Sequence, residues 1–503
     1  MKKNILKIFA TGLSIAFVAS CDLNLSPNDA IAVVEGTPLV QTKTNLSALE
    51  NGILSTYRSI QNGDFVLPQE FMVDGFNATI DFGNNYGGIH KTDQNFTSAD
   101  YYVEDFWAYN YFAIKNFNVC IENLQVVPED LVKDAAVVRG EAFFFRASSY
   151  LNLARQFGKI PVKGAPETDL CVPLVVKYSP NDRPARATVA AVYKQIGADL
   201  DSAAVYLAGV KGAVRSQKPT IDAVNALYAR YYLDLGENAK AAEYAHKVID
   251  GGTYALAATL EDLNKDFVND AGTEAIMQLA ISLTEFTGNS YANLLLAQKD
   301  DNVEGGECFR PYYIPTKAVI DSYEQNDLRF LSWFDNTTPV LLSGTYYTGK
   351  FYTFVKYRGN PDLTSSPIRN GRQAPKPLKI SEMYLIAAEA ELASSPAAAK
   401  ADLNALQIAR GASQTEATAE NVQKEWFKET IGEGLRMSCL KRWGKGFENR
   451  TAQSGAINQV QQGQYFDGKS LKSDSYFFQW PIPSHELKVN HNLEQNTGYD
   501  AIN

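Results

Sequence analysis

The chain has 503 residues, 45% of them hydrophobic and 21% charged, an ordinary globular composition with length for about three domains. Its formal net charge of −10 argues against nucleic acid or anionic lipid as a partner, since both call for clustered Lys and Arg.

Residues 1–20 read as an export signal. Lys2, Lys3 and Lys7 precede an apolar run, Ile8 to Val18, that is broken only by Thr11, Gly12 and Ser14 and is too short for the about 20 residues of a membrane span. Val18-Ala19-Ser20-Cys21 resembles a bacterial lipobox, so the mature chain is expected to start at Cys21 with its thiol acylated. Loss of three Lys and no acid then leaves a mature charge of −13. No other stretch approaches membrane-spanning length.

Steps of three and four between apolar residues predict amphipathic helices over 46–60, 106–124, 131–157, 189–207 and 221–235. Residues 226–246 read as a helical hairpin: Ala229, Ala241, Ala242 and Ala245 allow close approach and Gly236 makes the turn. A second hairpin spans 380–410, broken at Ser394-Ser395-Pro396. Both resemble tetratricopeptide units, but they are too far apart for a tandem solenoid. Residues 62–103 and 284–377 read instead as loop-rich insertions with a few short strands. The expected fold class is mostly α, a helical core interrupted by these insertions, divided into 1–20, 21–250 and 251–503.

Cys120, Cys171, Cys308 and Cys439 form no C-x-x-C pair and read as scattered buried thiols, and the four His occupy no metal-ligand frame. No catalytic motif or cofactor fingerprint occurs, so the sequence predicts no enzyme activity, no cofactor and no metal.

Several motifs together carry a family resemblance. Gly140, Glu141, Ala142, Arg146, Ala147, Tyr150, Phe157, Gly158 and Pro161 follow a GEA-x-x-x-RA-x-x-Y…FG-x-x-P pattern. Arg186, Thr188, Tyr193, Ile196, Asp199, Leu200, Ala203 and Leu207 continue it. Glu425, Glu429, Glu433, Gly434, Arg436, Leu440, Arg442, Trp443 and Gly444 match a third motif, with Trp426, Thr430 and Cys439 as departures. The closing stretch from Trp480 to Tyr499 matches a last one, with His491 and Thr497 where Pro is usual. The chain thereby resembles the SusD/RagB outer-membrane nutrient-binding lipoproteins, nearly end to end. The resemblance implies a surface-exposed, lipid-anchored protein of the outer membrane that captures an oligosaccharide and delivers it to a SusC-like TonB-dependent transporter; the RagB branch implies oligopeptides instead.

Ligand residues are expected in the insertions, because loops on a rigid scaffold carry binding groups. Phe309 to Tyr357 holds 13 aromatic residues in 49. Tyr86, Tyr312 and Tyr313 are therefore the expected ring platforms, with Asn77, Asn84, Asn85 and His90 as polar partners; Trp107 is assigned to the core. Glu429 and Glu433 raise a glycosidase reading, but at one helical turn apart and near Arg436 and Arg442 they read better as structural ion pairs.

Overall fold

The structure, a computed structural model, describes residues 38–163, 167–284, 291, 294–369 and 371–500; the lipobox and Cys21 lie outside them. Sixteen α-helices are present among the described residues: α1 (Lys43–Ser59), α2 (Gly63–Phe71), α3 (Gly87–Lys91), α4 (Tyr101–Asn123), α5 (Val132–Phe157), α6 (Val189–Leu207), α7 (Ile221–Leu235), α8 (Asn238–Ile249), α9 (Leu260–Phe267), α10 (Lys317–Asp321), α11 (Leu328–Trp333), α12 (Ile380–Ala390), α13 (Pro396–Ala409), α14 (Ala419–Glu429), α15 (Arg436–Trp443) and α16 (Ser484–Val489). The fold class is as expected, mostly α with short two-stranded antiparallel sheets.

Threonine starts many of these helices. Thr42, Thr188, Thr220, Thr259 and Thr418 each accept a hydrogen bond from the backbone N–H three residues on, satisfying a donor that the helix itself cannot. Gly236 ends α7 at φ 73°, a left-handed turn that a residue with a Cβ adopts at a cost, and so folds α8 back onto α7. Gly140 serves close packing instead: a Cβ there would lie 2.6 Å from Cβ of Tyr206 on α6.

One core runs from Val40 to Leu493 and gathers α1, α4–α8 and α12–α15 around α5. It takes residues from both sides of residue 250. A second core takes its rings from both insertions, and Phe71 stacks on Tyr313 at 3.8 Å between centroids. The strand Phe76–Ala78 pairs antiparallel with Tyr313–Pro315, Asn77 opposite Ile314, and fastens the two insertions together. Residues 62–103 are more ordered than a loop reading implies, since α2 and α3 lie within them. The four cysteines are free and buried, as expected of scattered thiols.

Candidate ligand-binding site

Four of the seven expected ligand residues are interior. Tyr313 is fully buried, and its hydroxyl donates to the backbone oxygen of Asn85 at 2.5 Å. His90 is fully buried, with Nδ1 2.7 Å from the carbonyl of Phe71, and burial together with the Arg450 charge holds its pKa well below the usual imidazole value. Asn77 donates to the carbonyl of Arg450 at 2.9 Å from within the strand pairing. Tyr86 is 1% exposed. Where ligand contacts were expected, these four side chains are buried and serve as framework in this structure: short strands without a long apolar stripe close their core with large rings, and the polar neighbours satisfy trapped backbone groups. Asn84 is exposed, Asn85 and Tyr312 are half-buried, and the Asn85 amide donates to the carbonyl of Phe82 at 2.7 Å.

The Glu429 carboxylate is also interior and that of Glu433 half-buried, with partners other than those expected. α14 ends at Glu429, so Glu433 is not on the same helix. Glu429 receives Arg410 at 2.6 and 3.0 Å and Arg329 at 3.0 Å. Glu433 takes Lys356 at 2.6 Å and also Lys379. Arg436 goes instead to Asp74, and Arg442 to Glu389. Burial alone would raise the Glu429 carboxyl, but Arg410 and Arg329 outweigh it and hold the pKa far below the carboxylate range. A carboxylate so held neither gives nor takes a proton near neutrality, which removes it from general acid–base work.

An open cleft of about 640 Å³ lies where the end of α1, the start of α2 and the first turns of α4 meet. Its walls are Ser55, Arg58, Ser59, Asn62, Asp64, Phe65, Tyr102, Asp105, Tyr109 and Thr284. On α4 the residues Tyr102, Asp105, Tyr109 and Phe112 follow one another at steps of three and four, so they share a face. That face is not the one buried in the core, which carries Val103, Phe106, Asn110, Ala113 and Phe117. Tyr109 is 48% and Phe112 50% exposed, and neighbouring Tyr101 58%. The rings are supported from behind. Tyr86 stacks on Tyr102 at 4.0 Å and Tyr102 lies 3.9 Å from Tyr101, while Phe65 meets Tyr109 edge-on at 5.5 Å.

The polar groups of the cleft are equally anchored. The Asn62 side-chain oxygen accepts from the backbone N–H of Asp64 at 2.9 Å, capping α2. Arg58 donates to the carbonyl of Ala280 at 2.7 Å. Burial raises the Asp64 carboxyl; the Tyr86 hydroxyl, 3.4 Å away, counters this and Asp105 adds to it. Asp105 is raised by burial and then by Glu104. Tyr102 is held between Tyr86 and Tyr101, whereas the half-exposed Tyr109 ring, beside carboxylates and a guanidinium, suits a ligand with apolar ring faces and many hydroxyls. Tyr86 thus backs the ring of Tyr102 from the interior. The sequence reading missed the cleft's own lining; the spacing from Tyr102 to Phe112, four bulky or acidic residues on the wrong side of an otherwise well-patterned helix, was the available signal.

Residues 28–233 match the family described as starch-binding and associating with the outer membrane, and residues 311–499 match the SusD family proper. The chain belongs to the SusD/RagB family. That family is one of carbohydrate-binding proteins associated with the outer membrane. The SusD-like protein P2 of Formosa agariphila is 25% identical, over 98% of this chain and 99% of its own. Among solved structures, a SusD superfamily protein of Bacteroides thetaiotaomicron superposes with a TM-score of 0.74 at 23% identity, covering 90% of this chain and 99% of that one. A SusD-like carbohydrate-binding protein of Bacteroides vulgatus gives 0.71 at 18% identity, over 90% and 97%. A laminarin-binding SusD-like protein gives 0.70 at 22%, over 91% and 100%. At these identities the superpositions speak to fold.

Proposed function

We propose that this SusD-like protein captures oligosaccharides at the cell surface in the cleft between α1, α2 and α4 and passes them to a SusC-like TonB-dependent transporter, itself held to the outer membrane by lipid on Cys21. The observation that carries the reading is the half-exposed ring of Tyr109, backed by Phe65, set in one cleft with Tyr102, Asp64, Asp105 and Arg58. A pyranose offers apolar ring faces to such rings and hydroxyls to such carboxylates, and few other nutrients offer both at every unit. The laminarin-binding relative of the same fold supports a glycan cargo. Asn84, Asn85 and Tyr312 do not line this cleft and stay candidates for a separate contact; Asn84 holds left-handed backbone at φ 60°, strain of the kind that collects at binding sites. Binding is the whole activity in this reading, with no bond made or broken.

Calorimetry of the full-length protein against laminarin- and starch-derived oligosaccharides tests it. Tyr102→Ala and Asp105→Asn should each weaken binding about two- to tenfold, as expected when a stacked ring or a hydroxyl partner is lost. Binding of short peptides and of no glycan would overturn the cargo and favour the RagB-like reading. Glycan binding that is unchanged in both variants would overturn the cleft.

A further inference from the structure

Away from the cleft, on the paired helical hairpins, three metal-ligating side chains converge from three helices. His246 lies in the last turn of α8, Glu391 caps the end of α12 and Asp402 lies within α13. Nε2 of His246 is 3.3 Å from Oε1 of Glu391 and 3.5 Å from Oδ2 of Asp402, and the three donor atoms all fall within 4.8 Å of one another. Both separations exceed the about 2.7–2.9 Å of a charge-assisted hydrogen bond. They do match the edge of a coordination tetrahedron, because ligands about 2.0–2.1 Å from a zinc ion stand roughly 3.3–3.4 Å apart.

A second observation concerns the carboxylate oxygens themselves. Oε2 of Glu391 and Oδ2 of Asp402 are both buried without a hydrogen-bond partner, and Asp402 is only 8% exposed. Two ionised carboxylates so close repel one another, and a shared proton or a cation between them relieves that repulsion.

We propose that His246, Glu391 and Asp402 bind a divalent transition cation of the zinc class and so pin the α7–α8 hairpin to the α12–α13 hairpin. One imidazole and two carboxylates form a mixed nitrogen–oxygen donor set that zinc accepts. His246, whose side chain is 29% exposed, keeps the site open to solvent and leaves a fourth position for water. The ligands are far apart in sequence and meet only on folding, so the ion binds the folded chain and stabilises it. This site is separate from the sugar cleft and stands whether or not that cleft binds glycan.

The test uses the full-length chain in detergent, stripped of metal with a chelator and titrated with zinc chloride alone. One equivalent should bind and raise the melting temperature, and cobalt(II) in its place should give the intense visible bands of a tetrahedral site. His246→Gln and Asp402→Asn should each weaken zinc binding roughly tenfold or more and abolish the thermal shift, whereas His485→Gln should leave both intact. Asp402→Asn preserves shape and volume, so its metal-free melt reports folding separately from metal uptake. No uptake at millimolar zinc, or uptake unchanged in the two ligand variants, overturns the site.

Discussion

In the helical part of the molecule α5 buries Gly140, Ala142, Ala147 and Ala154 beside Phe144, Phe145 and Leu153, whereas in the loop-rich part Phe71, Phe76, Tyr313, Trp333, Phe354 and Tyr357 fill the interior. Small residues at helical spacing bring backbones together, and each helix satisfies its own peptide groups. The loop-rich part has only short helices and two-stranded sheets, so each element buries little, and large rings with buried ion pairs supply the rest. A buried charge cluster lies where the two parts meet: Arg329 on α11 and Arg410 at the end of α13, both 0% exposed, sit among Asp327, Glu274, Glu425 and Glu429. The lesson is that helices carry their own backbone hydrogen bonds into a core, while loops call on side chains to do so.

The sharpest way to break this contrast is Arg410→Ala. It strips Glu274 of its cation in the interior and should destabilise the protein by about 3–5 kcal/mol, read by denaturant unfolding. The matching change in the helical part, Arg155→Ala, should cost less, because Asp234 keeps the Tyr193 hydroxyl at 3.2 Å and Arg442 at 3.8 Å. Equal costs would show that the two parts depend on buried charge alike.

Next in size is Gly140→Ala. The added methyl group meets Tyr206 and Leu207 across the α5–α6 contact and should cost about 1–3 kcal/mol by the same unfolding measurement. A neutral result would mean that the helical core is looser than its close approach implies.

Glu141 gives a pH-dependent test within the helical part. It is 1% exposed, its Oε2 lacks a partner, and burial first and Glu50 second push its pKa up to about 8. The folded-state value therefore lies above the unfolded one. At low pH the group is protonated in both states and contributes nothing. As pH rises from about 4.5 towards 8 the unfolded chain ionises first, and folding loses stability. Glu141→Gln should accordingly stabilise the protein by about 1–3 kcal/mol at pH 8.5 and leave it nearly unchanged at pH 4. Thermal melts of both proteins at the two pH values check the sign.

The smallest effect on stability is expected at Tyr109→Ala. The ring is half exposed, so unfolding should shift by no more than about 0.5 kcal/mol, while glycan binding weakens about two- to tenfold. Melting and calorimetry on one preparation separate the two. A large loss of stability would return Tyr109 to the core and take the cleft's front wall with it.

Much of the helical part was legible in the sequence. The predicted spans 189–207 and 221–235 coincide with α6 and α7, because an apolar stripe, a threonine start and, for α7, a glycine stop all agree. The short helix α2 was missed, for its nine residues include Pro68 and too few turns for a period to emerge. Tyr86, Tyr313, His90 and Asn77 were read as ligand contacts because ring density in a loop-rich stretch looks the same in sequence whether the rings face outward or inward. The cleft lining was half legible: the offset stripe on α4 was there to read, but its partners Arg58, Asn62 and Asp64 come from other elements.

The local order of the chain is written in its sequence. Periodicity, threonine caps and the turn at Gly236 each act within a few residues, and the family motifs run in a fixed order from Gly140 to Tyr499. Tertiary structure alone decided which charges pair and which rings face water. Glu429 finds Arg410 and Arg329, Glu433 finds Lys356 and Lys379, and His246 meets Glu391 and Asp402, through contacts between elements distant in the chain. The physical reason is range: a helix is closed by hydrogen bonds four residues long, whereas a buried charge or an open ring is defined by whatever element the fold brings against it.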